Sequence, residues 1–207
     1  MEEIKIQDKR DDILDVAEKL FAEQGFEAVS VREISKAADI NIAMVSYYFG
    51  SKEKLYEEVI SRKLTPTDMI LQQVNTASTN KDKLFAIVDL FISRFFDNRQ
   101  FQNLIFREMA LSKRKEMPEF ITQRMHQNFS IISDIIHKGI KSKEFRKVDV
   151  ELTVMSIIGI IKTYSTSGTM ACKILQTENE EDVFDTKNRN RFKKYIRELL
   201  SSHLDIK

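Results

Sequence analysis

The sequence predicts an all-α protein, with an N-terminal three-helix unit that contains a helix-turn-helix and a larger C-terminal helical domain. Three observations carry this. Two prolines and five glycines among 207 residues leave long stretches uninterrupted, as helices need. Apolar residues recur at helical spacing along most of the chain. Capping residues stand where those stretches begin, most densely in SVREISKAADINIAMVSYYFGSKEKL, from Ser30 to Leu55.

Each element follows from local chemistry. Ile13, Leu14, Ala17, Leu20 and Phe21 form the apolar stripe of a first helix, which Gly25 stops. Ser30 with Glu33 is a capping box, so a helix starts at Val31 and turns Val31, Ile34 and Ala38 inward. Asp39 falls at the reversal, where a residue must tolerate a left-handed backbone. Asn41 caps the next helix, roughly 42–48. Val45 faces inward there, and Ala43, Met44, Ser46, Tyr47 and Tyr48 stay on or near the open face. Gly50 ends that helix and Ser51 caps another, which carries Leu55, Val59 and Ile60 inward before Thr65-Pro66. Further helices are expected at 84–96, 101–111, 120–142, 150–172 and 189–204.

The open face has chemistry suited to nucleic acid. Ala43 lets a helix backbone approach base edges. Met44 can touch a thymine methyl, and Ser46 can donate or accept at a base. The hydroxyls of Tyr47 and Tyr48 suit phosphate oxygens, although adjacent tyrosines also serve as half-buried packing. Amides at the start of the helix capped by Ser51 attract an anion, and Lys52 adds a full charge. Ser30 and Arg32 can approach the backbone from the other side.

Residues 11 to about 63, ILDVAEKLFAEQGFEAVSVREISKAADI followed by NIAMVSYYFGSKEKLYEEVI, resemble the N-terminal domain of the TetR family of bacterial transcriptional regulators. Such domains read A-G-V-S-x-G-x-L-Y-x-H/Y-F-x-S/N-K-E-x-L. This chain reads A-D-I-N-I-A-M-V-S-Y-Y-F-G-S-K-E-K-L without a gap. It departs at Asp39 for the turn glycine, at Ile42 and Met44 where polar residues are common, and at Ser46 where an aromatic is frequent.

The resemblance implies a homodimeric repressor that binds a palindromic operator in double-stranded DNA and is released by a small-molecule effector. It implies a DNA-binding domain over 1–50, a linking helix over 51–66 and a ligand-binding and dimerisation domain over 67–207. Dimerisation would use roughly 150–172 and 189–204. Twofold symmetry would set the recognition helices about 34–36 Å apart, one DNA turn. A mostly apolar effector is expected among Phe91, Phe95, Phe106, Met109, Met125, Phe129, Met155 and Tyr164, although Phe and Met at helical spacing also make plain core. The alternative is a DNA-binding protein of this fold controlled by a protein partner, or one organising DNA without an inducer.

Charge and composition narrow the classes. Residues 1–64 carry 10 Lys/Arg against 14 Asp/Glu, so the head is not generally basic. DNA binding must rest on placed charges: Arg32, Lys36, Lys52 and Lys54, with Lys5, Lys9 and Arg10 from an N-terminal arm. The six bases between Lys187 and Arg197 read either as a second DNA contact or as a solvated face paired with the acidic tract 178–185. Cys172, the only cysteine, reads as a lone thiol in a helical core, with a redox sensor as the alternative. His126, His137 and His203 have no metal-ligand spacing, and no nucleophile–base pair or phosphate loop is present, so no cofactor, metal or catalytic site is expected. No run of eighteen apolar residues and no apolar signal core in MEEIKIQDKRDD argue for a cytoplasmic protein that meets no membrane.

Overall fold

A computed structural model describes the backbone of residues 2–64, 66–111 and 116–206, and the side chains in these ranges except 2–8, 73, 107–111 and 116–118. The described residues are helical apart from turns, with no strand and one isolated antiparallel bridge, Phe145 to Asp205. None of their helices is long and apolar enough to cross a membrane. The chain divides into two compact units, Met1–Leu64 with Gln100–Gln123, and Thr65–Arg99 with Arg124–Lys207.

The first unit begins with α1 (Glu2–Gln24), α2 (Val31–Ala37), α3 (Ile42–Phe49) and α4 (Lys52–Lys63). Gly25 follows α1 with φ 84°, the left-handed geometry that a helix end takes up at glycine. Ile13, Ala17, Phe21, Ile34, Val45, Leu55, Val59 and Ile60 are almost wholly buried. Phe21, Phe26 and Tyr56 interlock, with centroids 4.8–5.6 Å apart. Acids of α1 pair with bases of α4, Asp15 with Arg62 and Glu18 with Lys63, each at 2.7 Å. Arg10 pairs with Glu58 and its guanidinium sits 5.1 Å from the Phe49 ring. An N-terminal arm carrying Lys9 and Arg10 is therefore not what forms. The stretch joins α1, because no helix breaker separates it from the stripe at Ile13. Lys5 lies outside the described side chains. Later in this unit come α7 (Arg99–Leu111), with Leu104 and Ile105 buried, and the first turns of α8 (Glu116–Lys141).

The second unit holds α5 (Thr67–Thr76), α6 (Asn80–Asp97), the rest of α8, α9 (Val150–Thr166), α10 (Gly168–Leu175), α11 (Glu180–Val183) and α12 (Thr186–Leu204). Its core is Leu84, Ile87, Val88, Ile92, Ile132, Ile136, Ile157, Ile161, Ile196 and their neighbours. Lys81, Asp89, Ser93 and Asp97 follow a four- or eight-residue spacing, which puts them on one face of α6. Lys81 bonds Asp205, Asp89 bonds Arg197, Ser93 bonds Lys193 and Asp97 bonds Arg189. Half of the basic cluster on α12 is thus directed at α6 and not at the acidic tract beside it. That tract forms α11, whose N-cap Asn179 and Asp182 make a second capping box.

The single helix expected over 150–172 is two. α9 ends at Thr166, and at Ser167 the backbone leaves helical geometry with φ −101° and ψ 33°. Gly168 then opens α10 with the Glu180 carboxylate packed where a Cβ would lie. Glu180 pairs with Arg99 and accepts from Thr169 at 3.2 Å, and the Arg99 side chain holds its carboxyl below the usual range. α5 has no counterpart among the expected helices. Its N-cap is Pro66, which offers no side-chain acceptor, so the usual capping signal is missing.

Candidate nucleic-acid interface

The helix-turn-helix is built by caps at every joint. The Glu33 amide donates to the Ser30 hydroxyl at 3.2 Å, and the Ser30 amide donates back to Glu33 at 2.7 Å. The hydroxyl and amide of Ser30 hold the Glu33 carboxyl below its ordinary value, with Lys52 adding to the effect. At the reversal Asp39 has φ 51°, the left-handed conformation that its short polar side chain tolerates. The Ile40 amide closes the turn on the Ser35 carbonyl at 3.0 Å. Asn41 then caps α3 by accepting from the Ala43 amide at 2.9 Å.

These joints set the register of α3. Val45 and Phe49, four apart, are buried. Ala43, Ser46 and Tyr47 are exposed, while Met44 and Tyr48 are half-buried at the margin. Tyr47 is 76% exposed and its ring meets that of Tyr48 edge-on at 5.2 Å. Ile42 is 49% exposed and belongs to the same outer face, four residues from Ser46. The DNA-contact residues chosen from the sequence did not include Ile42, although Ile42 and Met44, standing where polar residues are common, already suggested a surface that leans on apolar contact.

The flanks are positioned separately. Gly50, with φ 79°, turns the chain between α3 and α4. The Ser51 hydroxyl accepts the Lys54 amide at 3.2 Å, so α4 starts beside the end of α3. Lys52 lies over the Phe26 ring at 4.2 Å and is half-buried, which orders its ammonium group near the start of α4. Ser30, Arg32, Lys36 and Lys54 are exposed.

The effector candidates do not form one group. Phe91 and Phe129 meet edge-on at 6.0 Å, and Phe95 and Met125 are half-buried in the same unit. Phe106 is buried in the other unit. Tyr164 belongs to a different cluster, stacked on Phe192 at 4.3 Å and on Phe96 at 5.4 Å, and donates to the Val183 carbonyl. Burial pushes its hydroxyl pKa up. Met155 points outward and is 65% exposed. Met109 lies outside the described side chains. Among the described residues, no group of three or more His, Cys, Asp or Glu could hold a metal ion.

Comparison with known proteins agrees with this geometry. Residues 13–59 match the family described as bacterial regulatory proteins, tetR family, and residues 77–171 match the tetracyclin repressor-like C-terminal domain. The chain is 31% identical over 140 residues to the probable HTH-type transcriptional regulator YttP of Bacillus subtilis, covering 66% of this chain and 67% of that one. It is 30% identical over 150 residues to the HTH-type transcriptional repressor KstR2 of Mycolicibacterium smegmatis, covering 70% and 71%. The transcriptional regulator FadR from Bacillus subtilis, solved in complex with stearoyl-CoA, shares the fold with a TM-score of 0.71 at 20% identity, covering 91% of this chain and 96% of that one. These relatives carry the names of regulators and not of enzymes. A helix-turn-helix in this register, on a chain matched by both family domains, is that of a DNA-binding transcription regulator, and the chain belongs to the TetR family.

Proposed function

We infer that the protein is a repressor that binds a palindromic operator as a homodimer and leaves it when a small, mostly apolar effector binds. The observation that carries the operator reading is the outer face of α3, where Ala43, Ser46 and Tyr47 are exposed between two capped helix starts that carry Arg32 and Lys52. In this reading Ala43, Met44 and Ser46 meet base edges, while Ser30, Arg32, Tyr47, Tyr48 and Lys52 hold phosphates. Residues 1–50 act as the DNA-binding domain, 51–66 as the linking helix and 67–207 as the dimerisation and effector domain.

Dimerisation is supported by one face of the second unit. Of eleven exposed large hydrophobic residues among those described, six stand on α9, α10 and α12: Leu152, Met155, Met170, Ile174, Tyr195 and Leu199. Two open grooves run along that face, about 480 Å³ between α9 and α12, and about 560 Å³ bounded by α9, α10 and α12. Gly159 lies on it, and a Cβ there would have nothing within 4 Å. Glycine inside a helix costs roughly 0.5–1 kcal/mol against alanine. No neighbour within the chain requires it, whereas close approach of a second helix would.

The effector reading rests on Phe91 and Phe129, with Phe95 and Met125 in the same unit, and on a fold that admits stearoyl-CoA in FadR. An effector with higher affinity for the DNA-free conformation would shift the population away from the operator. Fluorescence anisotropy with the DNA upstream of the protein's own gene tests the repressor role. Salt-sensitive binding that survives competitor DNA is expected, and its absence there counts against local repression. Sedimentation of the full chain tests the homodimer, and a monomer at micromolar concentration counts against it.

A further inference from the structure

The recognition helix has an unusual composition for its task. Its eight residues, IAMVSYYF, include no lysine, arginine, asparagine, glutamine, aspartate or glutamate. The strongest direct readings in the major groove pair arginine or lysine with guanine, and asparagine or glutamine with adenine. Neither pairing is available from within α3. The N-cap Asn41 is the nearest amide, and its Oδ1 is already engaged by the Ala43 amide. What the helix does expose is Ile42, Ala43, Ser46 and Tyr47.

Ile42 stands out in that set. It is a large β-branched residue left 49% exposed in the first turn of the helix, next to an alanine that keeps the backbone clear. The inward packing of α3 is done by Val45 and Phe49. A β-branched side chain is stiff at χ1, so Ile42 gives up little side-chain freedom on making an apolar contact. The only methyl group on the major-groove edge of ordinary DNA is the C5 methyl of thymine.

We propose that α3 reads pyrimidine 5-methyl groups, with Ile42 as the reader, so that each operator half-site carries a thymine opposite Ile42. The proposal rests on the operator reading above and adds the chemistry of its specificity. In modified DNA 5-methylcytosine presents the same group. Ser46 then adds a hydrogen bond that is less demanding of base identity, and Tyr47 holds a phosphate.

The test uses the full-length chain and a pool of random DNA duplexes. After selection, the enriched duplex is remade with deoxyuridine in place of one thymine and its symmetry mate at a time, which removes the methyl groups and nothing else. Anisotropy titration of the wild type should find one such pair whose replacement weakens binding about fifteenfold, about fourfold for each lost methyl contact. In Ile42→Ala the same replacement should change affinity less than twofold, and Ile42→Val should restore the dependence. Replacing that thymine by cytosine should lose affinity, and 5-methylcytosine should recover part of it. Circular dichroism checks that the variants keep the wild-type helix content. An enriched duplex indifferent to every deoxyuridine replacement overturns the proposal alone. So does an Ile42→Ala variant that keeps the wild-type discrimination. A pool that yields no enriched sequence overturns the operator reading and the proposal with it.

Discussion

Lys52 shows how one residue can hold two positions at once. Its ammonium lies over the Phe26 ring, and its charge helps keep Glu33 ionised. Lys52→Ala should weaken DNA binding to a similar degree on all sequences and lower the slope of log affinity against log salt by about one. A salt titration by anisotropy checks this, and an unchanged slope would remove Lys52 from the phosphate contacts. Glu33 adds a pH dependence. Its folded pKa lies below the ordinary glutamate value, so its contribution to stability is complete above that value and is lost as pH falls through the folded one. Glu33→Gln should therefore be less stable than the wild type at neutral pH, and the gap should close in the acid range below about pH 4.3. Urea midpoints measured at several pH values check it. Both roles were partly readable in the sequence, since a capping box and a lysine at a helix start are local patterns. The Phe26 ring under Lys52 was not, because the two are far apart in the chain and meet only when α4 packs beside the segment after α1.

At the scale of elements, two helical glycines should respond in opposite ways. Gly139 is overlain by the Phe145 ring, which is buried at 2% exposure, and a Cβ would collide with it. Gly139→Ala should destabilise the fold by about 1–3 kcal/mol through overpacking, more than the helix propensity it gains. Gly159 meets nothing within 4 Å. Gly159→Ala should leave the protomer as stable or stabilise it by up to about 1 kcal/mol, while weakening self-association. Thermal denaturation and sedimentation of both variants separate the two effects. The start of α6 shows a related device. Glu144, from the turn after α8, accepts the Asn80 and Lys81 amides at 3.0 and 2.8 Å and so caps a helix 64 residues earlier in the chain. Burial alone would raise its pKa, and these hydrogen bonds together bring it below the ordinary value. No sequence pattern announces such a cap, because its two halves share no local spacing.

For the whole molecule, the proposed dimer would join its two heads through the exposed face of α9, α10 and α12. A double variant Leu152→Glu, Met155→Glu places like charges on that face in both copies. It should convert the dimer to monomer and reduce operator affinity by more than tenfold while leaving each head folded. Sedimentation and anisotropy on the same samples check both halves of the statement, and a variant that stays dimeric would move the interface elsewhere. Met155 shows what spacing alone leaves open: it suits a cavity wall and a dimer face equally well, and in the folded chain Met155 is 65% exposed.

By itself, the sequence determined the helical class, the caps of α2, α3 and α4, the left-handed turn at Asp39 and the register of α3. Those features depend on groups two to five residues apart, so a linear pattern contains all their partners. Tertiary structure alone decided where the α12 bases go, with Arg189 reaching Asp97 and Arg197 reaching Asp89 across 92 and 108 residues. It also drew Arg10 onto Glu58 and turned Met155 outward. In each case the outcome depends on which helix faces pack together, and that brings side by side groups which no linear spacing relates.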